Sequence, residues 1–160
     1  MIPQDIDNPE TLRVFGDRLS IIAAKVQSAG LIFGFHPIGS SMRLMAGQPV
    51  YERLMAMLPH DVQLTFCVHA ALRSGTDPLP ILEKYAGRVE LVHFKDDAPQ
   101  PDGTRHLMPL GSDITDWVPI HDACCDADVK YIFAEQERWL SDAFDCARDS
   151  FGYLSRLGRG

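Results

Sequence analysis

Short apolar segments that alternate with amphipathic helical segments are the feature that most constrains the fold of this chain. The apolar segments predict strands at 31–35, 62–69, 88–96 and 129–134. A helix is predicted before the first strand and after every strand. Strands that alternate with helices pair in parallel through right-handed crossovers. The pattern therefore predicts an α/β fold, with four parallel strands alternating with helices plus one N-terminal helix, in a single domain over 1–160.

Capping and turn residues predict where the helices begin and end. An Asn-Pro-Glu run at 8–10 begins the first helix, and Gly30 ends it. Ser141 is expected to cap the last helix. The stretch 97–112 reads as a long irregular loop rich in proline and glycine, and loops of that length in compact domains often cover a site.

Composition excludes several classes of partner. The chain has 15 Lys and Arg against 22 Asp and Glu, a formal net charge of −7, and no basic run, which argues against nucleic-acid and membrane partners. No apolar run approaches the ~20 residues that span a bilayer, and the polar, acidic residues 1–10 predict no signal peptide. Four cysteines without a CxxC pair predict reduced thiols in a cytoplasmic protein: Cys67, Cys124, Cys125 and Cys146.

Polar residues gather where the predicted strands end. Side chains alternate faces along a strand, and the inward residues at the carboxyl ends of parallel barrel strands line active sites. The polar side chains that share one face near those ends are His36, Cys67, His69, His93, Lys95 and Glu135. If that face looks inward, these groups converge, and imidazoles with carboxylates from separate strands suit a divalent metal.

Each of these residues also has a structural interpretation. A histidine at a strand end often serves as hydrogen-bonded packing, Cys67 as a small buried hydrophobe, and Glu135 as an ion-pair partner of Lys95 or Arg138. Neither GxGxxG nor a P-loop follows any strand. A small doubly wound sheet that binds a phosphorylated ligand without metal is therefore the weaker α/β alternative.

Five short motifs occur in a defined order: GFHP at 34–37, DP at 77–78 with YAGR at 85–88, HFKD at 93–96, LGSDITDW at 110–117 and EQE at 135–137. Together they resemble the sugar phosphate isomerase/epimerase family, the xylose-isomerase-like TIM barrels. The resemblance runs along essentially the whole chain. It implies half of a (β/α)8 TIM barrel, namely strands five to eight with the preceding helix.

The resemblance also implies a metal site. Family members hold a divalent ion at the ends of strands five to eight, usually with Glu, Asp, His and Glu. By position, His93 matches the histidine and Glu135 the last glutamate, whereas Cys67 stands where the aspartate would be. The first carboxylate is missing; His36 is retained, and Ser41 stands near the expected acid. The implied ligands are thus His36, Cys67, His93 and Glu135, for Mn, Mg or Zn, and the thiol favours a softer ion such as zinc.

The function that the resemblance implies is metal-assisted proton transfer next to the carbonyl of a sugar or sugar phosphate. Glu135 and Lys95 are the expected catalytic residues, and His69 and Arg105 the expected substrate-binding residues. The alternative is a catalytically degenerate partial barrel that acts as a binding or oligomerising module, because two ligand positions differ and four strands cannot close a barrel. A second copy of the chain could then complete the barrel.

Overall fold

The computed structural model describes residues 6–158. Residues 1–5, which carry half of the segment behind the signal-peptide prediction, lie outside this range. In chain order the elements are α1 (Pro9–Ser28), β1 (Gly34–Phe35), β2 (Leu44–Met45), β3 (Gln48–Pro49), α2 (Val50–Met57), β4 (Gln63–Cys67), α3 (Val68–Arg73), α4 (Leu79–Lys84), β5 (Leu91–Phe94), β6 (Asp96–Pro99), β7 (Arg105–Met108), α5 (Trp117–Asp126), β8 (Tyr131–Ala134) and α6 (Ala143–Leu157).

The central sheet has four parallel strands in the order β1, β4, β5 and β8. Helices connect successive strands of this sheet, as right-handed crossovers require. The predicted α/β class, with four parallel strands alternating with helices after one N-terminal helix, is therefore confirmed. Among the described residues, none of the helices combines the length and the apolar character needed to cross a membrane.

The first helix begins and ends where the sequence predicts. The Asn8 side chain accepts hydrogen bonds from the backbone N–H groups of Glu10 and Thr11, both at 3.0 Å. Pro9 occupies the first helical position, where no N–H is needed. Gly30 follows the helix with φ of 76°, a left-handed conformation that glycine adopts at no steric cost.

The two faces of the sheet differ in what covers them. The helices bury one face along β4 and β5, where Phe94 stacks on Trp117 with ring centroids 4.5 Å apart. The opposite face carries Tyr131 and Phe133, which are 57% and 50% exposed. The segment 88–96 carries apolar side chains on both faces, yet helices cover only one of them. An open face agrees with a sheet of four strands that does not close into a barrel.

Asp96 links two of the sequence motifs. This buried carboxylate, 2% exposed, accepts hydrogen bonds from the backbone N–H of Gly111 at 2.9 Å and from the indole N–H of Trp117 at 3.3 Å. A buried carboxylate needs several donors to offset its lost hydration. The last residue of the HFKD motif therefore anchors the LGSDITDW motif.

The stretch predicted as a long irregular loop is largely a β-hairpin. Strands β6 and β7 pair antiparallel, with Asp96 opposite Met108 and Pro99 opposite Arg105. Gly103 has φ of 82° in the turn that joins them. Apart from Pro99 at the end of β6, the prolines and glycines that suggested a loop belong to this turn and to the segment after the hairpin.

Three other boundaries differ from the prediction. The second strand ends at Cys67, because the residues that follow are good helix formers and start α3. The first strand is shorter than 31–35, and the last helix is capped by Asp142 rather than Ser141. The Asp142 carboxylate accepts from the N–H groups of the first turn, where the helix dipole favours negative charge.

Candidate metal and active site

The parallel register brings the strand-end residues together. Cys67 lies opposite His93 in the β4–β5 pair, and His93 lies opposite Phe133 in the β5–β8 pair. Neighbouring residues in register point to the same face and are about 4.8 Å apart. Together with His36, which follows β1 directly, Cys67 and His93 place their ligand atoms within 4.8 Å of one another. The rings of His36 and His93 meet edge to face.

Glu135 joins this cluster from the end of β8. Its backbone N–H donates to the carbonyl of Phe94 at 2.9 Å, which continues the ladder one residue beyond the strand. Its Oε2 then lies 3.0 Å from His93 Nδ1 and 3.2 Å from Lys95 Nζ. Ligands of one zinc ion lie ~2.0–2.3 Å from it, so His93 and Glu135 are close enough to share an ion.

The unsatisfied atoms of the cluster fit a cation. Seven buried side-chain polar atoms within residues 6–158 make no hydrogen bond, and three of them belong to this cluster: His36 Nε2, His93 Nδ1 and Glu135 Oε2. The 3.0 Å approach of His93 to Glu135 has an ion-pair distance but not the angles of a hydrogen bond. Buried polar atoms usually have a partner, so each exception calls for an explanation. A metal ion between these lone pairs supplies one.

Burial also sets the protonation of the possible ligands. Desolvation lowers the pKa of His36 and of His93, although the charge of Glu135 opposes this at both rings. The neutral imidazole that this favours is the form that binds metals. Desolvation raises the pKa of the Cys67 thiol, so this residue is protonated at neutral pH unless a cation displaces its proton.

Lys95 is held between two carboxylates. It is 8% exposed, and Nζ donates to Glu137 Oε1 at 2.6 Å while lying near Glu135. Burial alone would lower the pKa of Lys95, but the carboxylates of Glu137 and Glu135 outweigh it and raise that pKa. Sequence reasoning missed Glu137, although the EQE motif places it two residues after Glu135, where side chains of an extended segment return to the same face.

The two residues predicted to bind substrate form a second cluster around Asp97. His69 Nε2 lies 3.6 Å from the Asp97 carboxylate, and Arg105 Nε donates to it at 2.8 Å. Arg105 also contacts Asp113 at 2.5 Å, and Arg73 lies 3.8 Å from Asp97. The parity argument placed His69 on a strand, whereas it lies in α3. No signal in the sequence pairs Asp97 with these side chains, because the contacts depend on how the hairpin folds back.

These features define the class of protein. The chain is a partial (β/α) barrel with its ionisable side chains at the carboxyl ends of parallel strands, where such barrels build their sites. No protein-family profile matches it. Among curated proteins it is similar to the inosose dehydratase of Lacticaseibacillus casei, with 28% identity over 137 residues. The match covers 74% of this chain but only 45% of that protein, so the chain spans less than half of this relative's length.

Solved structures agree on the fold. A sugar phosphate isomerase/epimerase from Parabacteroides distasonis superposes with a TM-score of 0.82 at 17% identity, over 98% of this chain and 57% of that one. A xylose isomerase domain protein from Alicyclobacillus acidocaldarius superposes with a TM-score of 0.71 at 17% identity, over 98% of this chain and 60% of that one. The chain thus has the fold of the xylose-isomerase-like TIM barrels over a little more than half their length, and the resemblance stated from its motifs is confirmed.

Proposed function

We propose that this chain is the metal-binding part of a sugar or sugar phosphate isomerase or epimerase, which moves a proton next to a sugar carbonyl. The observation that carries the proposal is the group of unpartnered buried atoms of His36, His93 and Glu135 at the strand ends. Proteins with the same fold carry the names isomerase, epimerase and dehydratase, which supports chemistry of this kind.

Four residues would hold the ion: His36, Cys67, His93 and Glu135. When bound, a divalent ion would act as a Lewis acid that polarises the substrate carbonyl. Two imidazoles and a thiol are softer ligands than the oxygens that Mg and Mn prefer. We therefore infer that zinc is the ion of choice, ahead of Mn and Mg.

The remaining roles follow from the charges around Glu135. Its carboxylate would take the proton from the carbon next to the carbonyl, with the ammonium of Lys95 lying 3.2 Å away. Lys95 would also donate a hydrogen bond to a substrate oxygen. His69 and Arg105, oriented by Asp97, would bind substrate hydroxyl or phosphate groups.

The experiment is a zinc titration of the EDTA-treated chain by calorimetry. We expect one ion per chain, and His93→Ala should weaken its binding at least tenfold because a direct ligand is lost. His60→Ala is the matched control, since His60 is an exposed histidine away from the cluster. The proposal would be contradicted if the chain did not bind zinc at micromolar concentration. It would also be contradicted if His93→Ala and His60→Ala lost the same zinc affinity.

A second candidate is a non-catalytic binding or oligomerising module. The open face of the sheet favours it, because Tyr131 and Phe133 present aromatic area that a partner chain could cover. The two outer strands, β1 and β8, also leave backbone groups free for pairing. This candidate predicts no stoichiometric zinc and, if a second copy completes the barrel, the mass of two chains in light scattering.

A further inference from the structure

A groove between α5 and α6 contains the one exposed cysteine within residues 6–158. Cys125 of α5 is exposed, whereas Cys67, Cys124 and Cys146 are buried. Burial raises the pKa of the Cys124 thiol to about 12, so this neighbouring cysteine is inert at neutral pH. We therefore expect a thiol reagent to react with the folded chain at Cys125 first.

His121 stands one helical turn before Cys125 on the same face of α5. Residues four apart on a helix are neighbours, and here Cys125 Sγ lies 3.8 Å from His121 Nδ1, within the hydrogen-bond range of sulfur. The imidazole is held in place, because its side chain is only 13% exposed and Gly158, at the end of α6, lies beside its Nε2. A neutral imidazole next to a thiol can accept the thiol proton and so make the sulfur a nucleophile.

The groove has room for a small molecule and carries a cation on its α6 side. Its volume is about 440 Å3, in the range of small-molecule sites. Tyr153 and Arg156 of α6 line it, and the Arg156 guanidinium lies 5.6 Å from the centre of the Tyr153 ring. The acid of the lining, Asp122, lies 3.9 Å from His121 Nδ1. The Arg156 side chain makes no hydrogen bond or ion pair within residues 6–158, so it is available to a carboxylate of a ligand.

We propose that Cys125 is a site of reversible mixed-disulfide formation with small anionic disulfides of the glutathione type. His121 takes the thiol proton as Cys125 Sγ attacks one sulfur of the incoming disulfide. The new S–S bond forms while the old one breaks, and the released thiolate takes up the proton from His121. The Cys125 sulfur is oxidised and the departing sulfur is reduced, so the disulfide itself is the oxidant. Arg156 binds a carboxylate of the disulfide.

This site is separate from the proposed metal centre. None of the residues that line the groove belongs to the cluster of His36, Cys67, His93 and Glu135. The reaction at Cys125 therefore requires neither the metal nor the sugar chemistry proposed for the strand ends.

The test is intact-mass spectrometry of the reduced chain after incubation with oxidised glutathione, followed by peptide mapping of the adduct. We expect one glutathionyl group per chain, located on Cys125 and removed by dithiothreitol. Cys125→Ser should abolish the adduct. Because the side chain at this position is exposed, the substitution should leave the fold intact, which a melting curve checks.

Reaction rates separate the roles of the neighbouring side chains. His121→Ala should slow the reaction about tenfold with any disulfide, because the base is lost. The matched control is His60→Ala, an exposed histidine outside the groove, which should react like the parent. Arg156→Gln should slow the reaction with oxidised glutathione about two- to fivefold, the size of an exposed ion pair, and should not slow the reaction with cystamine, a cationic disulfide. Arg148→Gln, another exposed arginine of α6, should change neither rate.

The inference would be overturned by the absence of an adduct at millimolar oxidised glutathione or by an adduct on a different cysteine. Equal rates in His121→Ala and His60→Ala would overturn it as well. So would an effect of Arg156→Gln that is the same for oxidised glutathione and for cystamine, since the carboxylate would then play no part.

Discussion

At the scale of single residues, the Asp97 carboxylate contacts three side chains from two other elements. Its carboxylate accepts from Arg105 of β7 and lies near His69 and Arg73 of α3. Burial would raise the pKa of Asp97, but the hydrogen bond from Arg105 and the charges of Arg73 and His69 outweigh it and hold that pKa below its usual value. Asp97 therefore stabilises the folded chain only while it is ionised.

This predicts a pH dependence of stability. The contribution of Asp97 is fully present above the pKa of an unfolded aspartate, about 3.9, and is lost as the pH falls through the lower folded pKa. Asp97→Asn should lower the free energy of unfolding by roughly 1–3 kcal/mol at pH 7, and the difference from the parent should shrink in more acid solution. The measurement is urea unfolding of the parent chain and of Asp97→Asn over a range of pH values. Asp149→Asn, an exposed carboxylate on α6, should behave like the parent; a constant deficit in Asp97→Asn would contradict the argument.

Residue pairing was predictable where it depended on strand register alone. His93 and Glu135 were expected at one site because alternation along adjacent parallel strands places them on one face, and they lie 3.0 Å apart. Glu137 and Asp97 were not anticipated as members of the site. Glu137 pairs with Lys95, and Asp97 pairs with Arg105 of the hairpin. Hydrogen bonds of this kind, between residues of different segments, leave no periodic pattern in the sequence.

At the scale of elements, Gly111 fixes how the segment after the hairpin meets α6. Its φ of 83° is left-handed, and an added methyl group would overlap the ring of Tyr153. The backbone N–H of the preceding Leu110 donates to the hydroxyl of Ser150 at 3.1 Å, so the segment lies directly on the helix. An alanine at position 111 should therefore lower the stability of the fold in two ways, through backbone strain at positive φ and through overlap with the Tyr153 ring.

A pair of alanine variants separates these two effects. Gly103 in the hairpin turn has nearly the same φ, 82°, but open space around its Cα. We expect Gly103→Ala to cost about 1 kcal/mol from backbone strain alone. Gly111→Ala should cost roughly 2–4 kcal/mol, because crowding against Tyr153 adds to the strain. Thermal or urea unfolding gives both values, and equal costs would show that α6 moves aside freely.

The elements themselves were predictable to different degrees. Asn8, Pro9 and Gly30 act locally, so the bounds of α1 follow from the sequence with little ambiguity. The hairpin was missed because its strands are short and polar, and their pairing depends on Arg105 reaching Asp97 across the turn. Local propensity carries no information about that contact.

At the scale of the whole molecule, the sheet has one face packed under helices and one face open. Phe94 on the packed face is fully buried and stacks on Trp117, whereas Phe133 on the open face is half exposed. The two phenylalanines lie one position apart in the pairing of β5 with β8. The side-chain area that each one removes from water is nevertheless different. Their substitution by alanine therefore measures how far each face is covered in solution.

We expect Phe94→Ala to lower the free energy of unfolding by about 3–5 kcal/mol, because a large buried ring leaves a cavity. Phe133→Ala should cost about 1 kcal/mol, since only half of its ring is removed from water. Unfolding is measured at several protein concentrations, with light scattering of the same samples. If Phe133→Ala costs as much as Phe94→Ala, and the melting temperature of the parent rises with concentration, another copy of the chain covers the open face. That outcome would favour the oligomerising module over the isolated metal site, because the partner chain would then lie directly over His93 and Phe133.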